Sequence, residues 1–242
     1  MRESRMILRE QTLLAENVRC MRLEGEGLEQ HRPGQFVNLQ LEGHFLRRPI
    51  SVFDQEGDTL CLIYKAVGKG TEQMARMESG EVLSVLTGLG NGYDLTRAGE
   101  APLLIGGGVG VPPLYLLARR LREQGKKVTA LLGFGRREEL FGKEKFEALG
   151  CEVIVTTLDG SAGKKGRVTD VLPEAYSFFY ACGPLPMLKA VCGATATNGQ
   201  LSFEERMGCG FGACMGCSIQ TRNGFKRICR EGPVLDKEEI LF

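Results

Sequence analysis

The pattern of apolar and polar positions changes twice along the chain. Up to residue 97 it runs in short stretches. "QFVNLQL", "PISVFD", "LCLIYKAV" and "EVLSVLTG" carry β-branched or alternating apolar residues, and "RPGQ", "QEGD" and "GKGT" break them with turn formers. Strands spaced this regularly predict a small antiparallel β-barrel over 1–97. One helix is expected at Gly70–Met77, where "GTEQMARM" has Thr and Glu near its start.

From residue 98 the period lengthens. "APLLI" is a buried strand, followed by "GGGVGVPP" and a helical stretch with Leu114, Leu117 and Leu121 at helical spacing, which stops at Gly125. Strand "KVTALLGF", helix "EELFGKEKFEALG" and strand "CEVIVTT" come next, and later strand "SFFYACG" and helix "PLPMLKAVCG". This alternation predicts βαβ units and a parallel-sheet α/β domain over 98–199. The segment 200–242 fits neither pattern. It is rich in glycine and cysteine and is expected to form a small third domain. The fold class is therefore multi-domain, β followed by α/β.

Composition narrows the function. With 43% hydrophobic and 25% charged residues the chain reads as a soluble globular protein. A formal net charge of +1 lacks the basic excess of a nucleic-acid groove. No run approaches the roughly 18 apolar residues of a membrane span, and the start lacks the apolar core of a signal peptide. No membrane and no nucleic-acid partner are expected, and the chain reads as cytoplasmic.

A disulfide framework is out of keeping with that compartment, so the nine cysteines need another account. Cys20, Cys61 and Cys151 read as small buried hydrophobes. Cys209, Cys214, Cys217 and Cys229 form C-x4-C-x2-C-x11-C. That is the plant-type ferredoxin spacing for a [2Fe–2S] cluster. Gly208, Gly210, Gly212 and Gly216 would let a tight loop turn about the metal. A zinc site, which favours two C-x2-C pairs, and unligated thiols are the alternatives.

Two further signals concern nucleotides. Gly106, Gly107, Gly108 and Gly110 lie between a strand and a helix, where a pyrophosphate meets backbone amides. The run is not the G-x-G-x-x-G fingerprint, and a plain tight turn is the alternative. Cys182, Gly183 and Pro184 follow another strand end, so both segments are expected to face one ligand at the carboxyl edge of the sheet. In the barrel, Arg48 and Ser51 share the strand "RRPIS". By themselves they read as a surface arginine and a turn serine. Arg136 and Arg137 follow a strand where a 2′-phosphate would be met, or simply start a solvated helix.

Taken in order, R-P-I-S, G-G-G-V-G, C-G-P and the cysteine spacing resemble the ferredoxin–NADP reductase superfamily. Within it the chain resembles the electron-transfer subunits of NAD-linked dihydroorotate dehydrogenase B, most specifically in "SFEERMGCGFGACMGC". The resemblance spans essentially the whole chain. It implies FAD, a [2Fe–2S] cluster and NAD as cofactors, and electron transfer in pyrimidine biosynthesis. It places flavin contacts on Arg48, Pro49, Ile50, Ser51, Ile63, Tyr64, Lys65, Gly70 and Thr71, and cluster ligands on Cys209, Cys214, Cys217 and Cys229. Ile50 stands where the superfamily usually has an aromatic residue, which leaves open what stacks on the flavin. The implied partner is an FMN-containing catalytic subunit, in a heterotetramer of two of each. The competing resemblance is to diaphorase-type subunits of sulfide dehydrogenase, hydrogenase or ferredoxin:NADP oxidoreductase complexes. A zinc-stabilised or iron-sensing regulator is the non-enzymatic reading.

Overall fold

The computed structural model describes residues 1–242. Strands β1 (Arg2–Ala15), β2 (Val18–Glu24), β3 (Phe36–Leu39), β4 (Arg48–Glu56), β5 (Thr59–Lys65) and β6 (Val82–Leu89) close a barrel in the order β1-β2-β5-β4-β3-β6. Neighbouring strands are antiparallel. Closure leaves no unpaired edge. The interior is filled by alternate residues, among them Met6, Leu8, Leu39, Val52, Leu60 and Leu62. Helix α1 (Lys69–Met74) begins one residue before the expected start and ends three residues before the expected stop. Its end tightens, with the Met77 amide donating to the Met74 carbonyl at 3.1 Å.

The second unit is a seven-stranded sheet. Its elements are β7 (Leu103–Gly107), α2 (Tyr115–Glu123), β8 (Thr129–Phe134), α3 (Lys143–Ala148), β9 (Glu152–Thr157), β10 (Lys164–Lys165), β11 (Phe179–Cys182), α4 (Leu185–Ala194) and β12 (Gly199–Ser202). β13 (Ser218–Thr221) and β14 (Gly224–Arg227) form a separate hairpin, and β15 (Val234–Asp236) returns to the sheet. The sheet order is β10-β9-β8-β7-β11-β12-β15. Every pair is parallel except β12 with β15.

One expectation needs correction. The single helix expected over "EELFGKEKFEALG" is a 3₁₀ turn at Arg137–Glu139 and then α3, because Gly142 sits at φ 80 and interrupts the helical path. The segment 200–242 also adds strands to the α/β sheet. It supplies most of β12 and all of β15, strands of four and three residues, too short for their periodicity to be read.

The three regions share cores. Val18, Phe53 and Ile63 of the barrel pack with Leu104, Val111, Leu114 and Leu117 of the α/β layer. Phe36 and Leu89 pack in a second cluster with Ile105, Ala181, Phe203, Cys217 and Ile228. Asn91, just past β6, is fully paired there. Its amide donates to the Val234 carbonyl at 2.7 Å and accepts from the Val234 amide at 3.1 Å. No helix is long and apolar enough to cross a membrane.

Candidate functional site

The strand β4 opens with Arg48, Pro49, Ile50 and Ser51, paired to Leu39, Asn38, Val37 and Phe36 of β3. The Arg48 side chain crosses Gly70 at the start of α1, so closely that a Cβ there would lie 2.0 Å from its Nε. Its guanidinium donates to the Leu46 carbonyl and meets His44 Nδ1 at 2.7 Å. Thr71 Oγ1 accepts from the Val67 and Gly68 amides at 3.0 and 3.2 Å. Arg48, Gly70 and Thr71 thus come together as a cationic corner with an ordered backbone.

Ile63, Tyr64 and Lys65 at the end of β5 do not present one surface. Tyr64 is buried in the barrel, where its hydroxyl donates to Gln11 Oε1 at 2.7 Å and burial raises its pKa. Ile63 belongs to the core between barrel and sheet. Lys65 Nζ stands 3.8 Å from Glu139 Oε1. Ile63 and Tyr64 therefore have only backbone groups to offer a ligand.

The glycine turn lies beside this corner, since β5 abuts Gly108–Gly110 and β4 abuts the turn Pro112–Leu114. Gly106 pairs with Cys182 across β7 and β11. A Cβ on Gly110 would lie 2.2 Å from the Cys182 carbonyl oxygen, and one on Gly107 would meet Met187 Sδ at 2.4 Å and Pro184 Cδ at 3.2 Å. Gly106, Gly107, Gly108, Gly110, Cys182, Gly183 and Pro184 are one constellation at the carboxyl edge of the sheet. Cys182 is pushed up to about 12 by burial, so its thiol stays neutral at ordinary pH. Arg136 pairs with Glu16, and Arg137 donates twice to the Ser161 carbonyl, at 2.9 and 2.7 Å.

The cysteine loop is built by amides. Cys209 Sγ accepts from the Ala213 and Cys214 amides at 3.2 and 3.4 Å, Cys214 Sγ from the Cys209 amide at 3.4 Å, and Cys217 Sγ from the Cys229 amide at 3.4 Å. Gly210 and Gly212 have φ +77 and +93, conformations that only glycine adopts readily. Gly208 serves differently: a Cβ there would lie 3.1 Å from Cys214 Sγ. Cys217 and Cys229 are buried, Cys209 is half-buried and Cys214 is exposed.

Burial would raise the Cys209 pKa, but amides at Phe211, Cys214 and Ala213 outweigh it and bring it down to about 6. Cys229 is pushed up to about 12 by burial and by the neighbouring sulfurs of Cys217 and Cys209. Crowded thiols that cannot all ionise alone, with N–H donors aimed at sulfur, fit a cationic iron–sulfide core.

Asn38, which joins the two halves of the site, carries no signal in the pattern of the sequence. It is buried on β3, opposite Pro49, and its Nδ2 donates to the Cys209 carbonyl at 3.3 Å. A Cβ on Gly210 would meet that Nδ2 at 2.3 Å. The cluster loop is therefore seated on the strand next to R-P-I-S. Arg227 holds the far side, donating to the Gly212 carbonyl at 2.5 Å and pairing with Glu231.

A barrel with a cationic corner, a nucleotide turn and a four-cysteine loop together define a ferredoxin reductase-like electron carrier. Residues 204–241 match the family model for the iron–sulfur cluster binding domain of dihydroorotate dehydrogenase B, and residues 104–193 match the oxidoreductase NAD-binding domain. The dihydroorotate dehydrogenase B (NAD(+)) electron transfer subunit of Lysinibacillus sphaericus is 42% identical over 99% of this chain and 98% of its own. That of Fusobacterium nucleatum is 40% identical over 93% of each. Among solved structures, an NADH-dependent reduced ferredoxin–NADP oxidoreductase studied for flavin-based electron bifurcation superposes with TM-score 0.89 at 29% identity, over 98% of this chain and 89% of that one. A flavohemoglobin from Malassezia yamatoensis shares the fold alone, with TM-score 0.69 at 18% identity over 80% of this chain and 56% of its own. The chain belongs to the family of dihydroorotate dehydrogenase B electron transfer subunits. The diaphorase-type alternative is not favoured.

Proposed function

We propose that this chain carries electrons from a catalytic subunit that oxidises dihydroorotate to NAD+. FAD, when bound, supplies the exchange between the electron pair of a hydride and the single electrons of a [2Fe–2S] cluster. Arg48, with Gly70 and Thr71 beside it, would hold the flavin's pyrophosphate, and Pro49, Ile50 and Ser51 would meet the flavin ring. Ile63, Tyr64 and Lys65 contribute backbone. Gly106, Gly107, Gly108 and Gly110 receive the NAD phosphates at the sheet edge. Cys182, Gly183 and Pro184 shape the pocket nearby, with Cys182 as a neutral wall. Cys209, Cys214, Cys217 and Cys229 hold the cluster.

The observation that carries this reading is the Asn38 amide at 3.3 Å from the Cys209 carbonyl, because it seats the cysteine loop on the strand beside the flavin motif. Phe211 and Met215 within the cysteine loop and Phe225 on the hairpin that follows it are exposed, so this end is the face offered to the partner. The partner would carry FMN, in an assembly of two of each subunit.

The test is reconstitution. The purified chain is mixed with the family's catalytic subunit and supplied with dihydroorotate and NAD+. NADH should form, and its absence overturns the reading. Cys214→Ser should abolish the cluster's visible absorption and this transfer while FAD stays bound. Retention of the cluster spectrum would remove Cys214 from the ligand set.

A further inference from the structure

One pair of thiols outside the cysteine loop is in contact. Cys20 on β2 and Cys61 on β5 have sulfurs 3.1 Å apart. In the antiparallel register Cys20 faces Ile63 and Cys61 faces Arg22. The two cysteines are diagonal neighbours, and the two-residue offset keeps both side chains on one face of the barrel wall. Both are half-buried against the core shared by barrel and sheet, whereas Cys151, Cys182 and Cys192 stand alone.

The surroundings favour reactivity. The contact between the two sulfurs lowers the Cys20 pKa and raises that of Cys61, and the charges of Lys145 and Arg22 favour a thiolate. A disulfide needs sulfurs about 2.05 Å apart, so closure asks the pair to draw together by about 1 Å, with the two strands shifting to bring a diagonal pair into bonding range.

We infer that Cys20 and Cys61 form a reversible dithiol–disulfide site, closed by hydroperoxides and reopened by small thiols, on the barrel wall that packs against the α/β layer. The Cys20 thiolate attacks a peroxide oxygen. The O–O bond breaks, Cys20 becomes a sulfenic acid, and the departing hydroxide takes up the proton that Cys20 gave up on ionising and leaves as one water. The Cys61 sulfur then attacks the Cys20 sulfur. The S–O bond breaks, and the departing hydroxide takes the Cys61 proton as a second water. Two thiols thus lose two protons and two electrons, and one hydrogen peroxide becomes two waters.

The experiment uses holoprotein with FAD and cluster bound, treated with one equivalent of hydrogen peroxide, alkylated and mapped by mass spectrometry. A peptide joining Cys20 to Cys61 is expected, lighter than its parts by two hydrogens and abolished by dithiothreitol. Cys20→Ser and Cys61→Ser should each lack it. Phenylarsine oxide, which bridges paired thiols, should protect both cysteines from alkylation in the untreated wild type and protect neither survivor in the variants. Cys20 and Cys61 remaining free after peroxide, ending as separate sulfinic acids, joining other cysteines, or staying reactive under phenylarsine oxide would each overturn the inference.

Discussion

Gly70 shows how much one missing carbon decides. The Arg48 side chain occupies the space a Cβ would need. Gly70→Ala should push Arg48 aside at a cost of about 1–3 kcal/mol. If that cost falls on flavin binding, FAD affinity drops roughly 5- to 150-fold, which flavin release on ultrafiltration measures. His31 illustrates a different control. It is buried, with Nδ1 donating to Gln55 Oε1 at 2.7 Å and Nε2 accepting from the Gly88 amide at 3.3 Å. Burial holds its pKa below the ordinary histidine value, against the opposing pull of Gln55 and Glu29. The unfolded chain therefore takes up a proton that the fold refuses. Stability is full above about pH 6.5 and falls as pH drops below it. Denaturant titrations from pH 7.5 to 5 should show a flatter acid limb in His31→Gln than in the wild type.

Among elements, the joint between β4 and α2 is the most exacting. Arg119 of α2 meets Asp54 of β4 at 2.8 Å and donates to the Gln55 carbonyl at 2.9 Å, and both charged side chains are largely covered. Burial raises the Asp54 pKa and the Arg119 charge opposes the rise. Removing one partner leaves the other stranded, so Arg119→Met should cost about 3 kcal/mol of unfolding free energy in urea. The double variant Arg119→Met, Asp54→Leu should recover part of that loss. None of this was legible in the sequence, where Asp54 and Arg119 are merely polar positions in different elements. Legibility followed pattern strength. Strand β8 carries a nearly continuous apolar run and helix α4 one broken only by Lys189, and both were readable. Strand β1 was not, although it is 14 residues long, because only Ser4, Met6 and Leu8 point inward among exposed charges. The positive φ of Gly142, which splits the helix before α3, has no signature in hydrophobic spacing.

At the scale of the molecule, what was legible was local and what was hidden was contact between distant segments. The cysteine spacing and the glycine turn are each confined to a few neighbouring residues, so they can be read one at a time. That Asn38 touches the Cys209 carbonyl, or that Asn91 is paired with Val234, depends on where the chain returns after more than a hundred residues. Strands β12 and β15 were too short to read, and their pairing with each other joins segments some thirty residues apart. Their membership in the sheet makes a strong claim about dissection. A fragment ending at residue 199 lacks Leu201, Phe203, Ile228 and Leu235 of the shared core. It should lose near-ultraviolet circular dichroism and be degraded by trypsin under conditions that leave the whole chain intact.

The antiparallel pairing of β12 with β15 also orders events during synthesis. β12 emerges from the ribosome with one edge open, and residues 203–233, which include Cys209, Cys214, Cys217 and Cys229, follow before the strand that closes that edge. An open edge can pair with the wrong chain. The cysteine loop is thus tethered at both feet only when the sheet is finished, so completion of the nascent sheet and maturation of the metal-binding loop become one step in the life of the polypeptide.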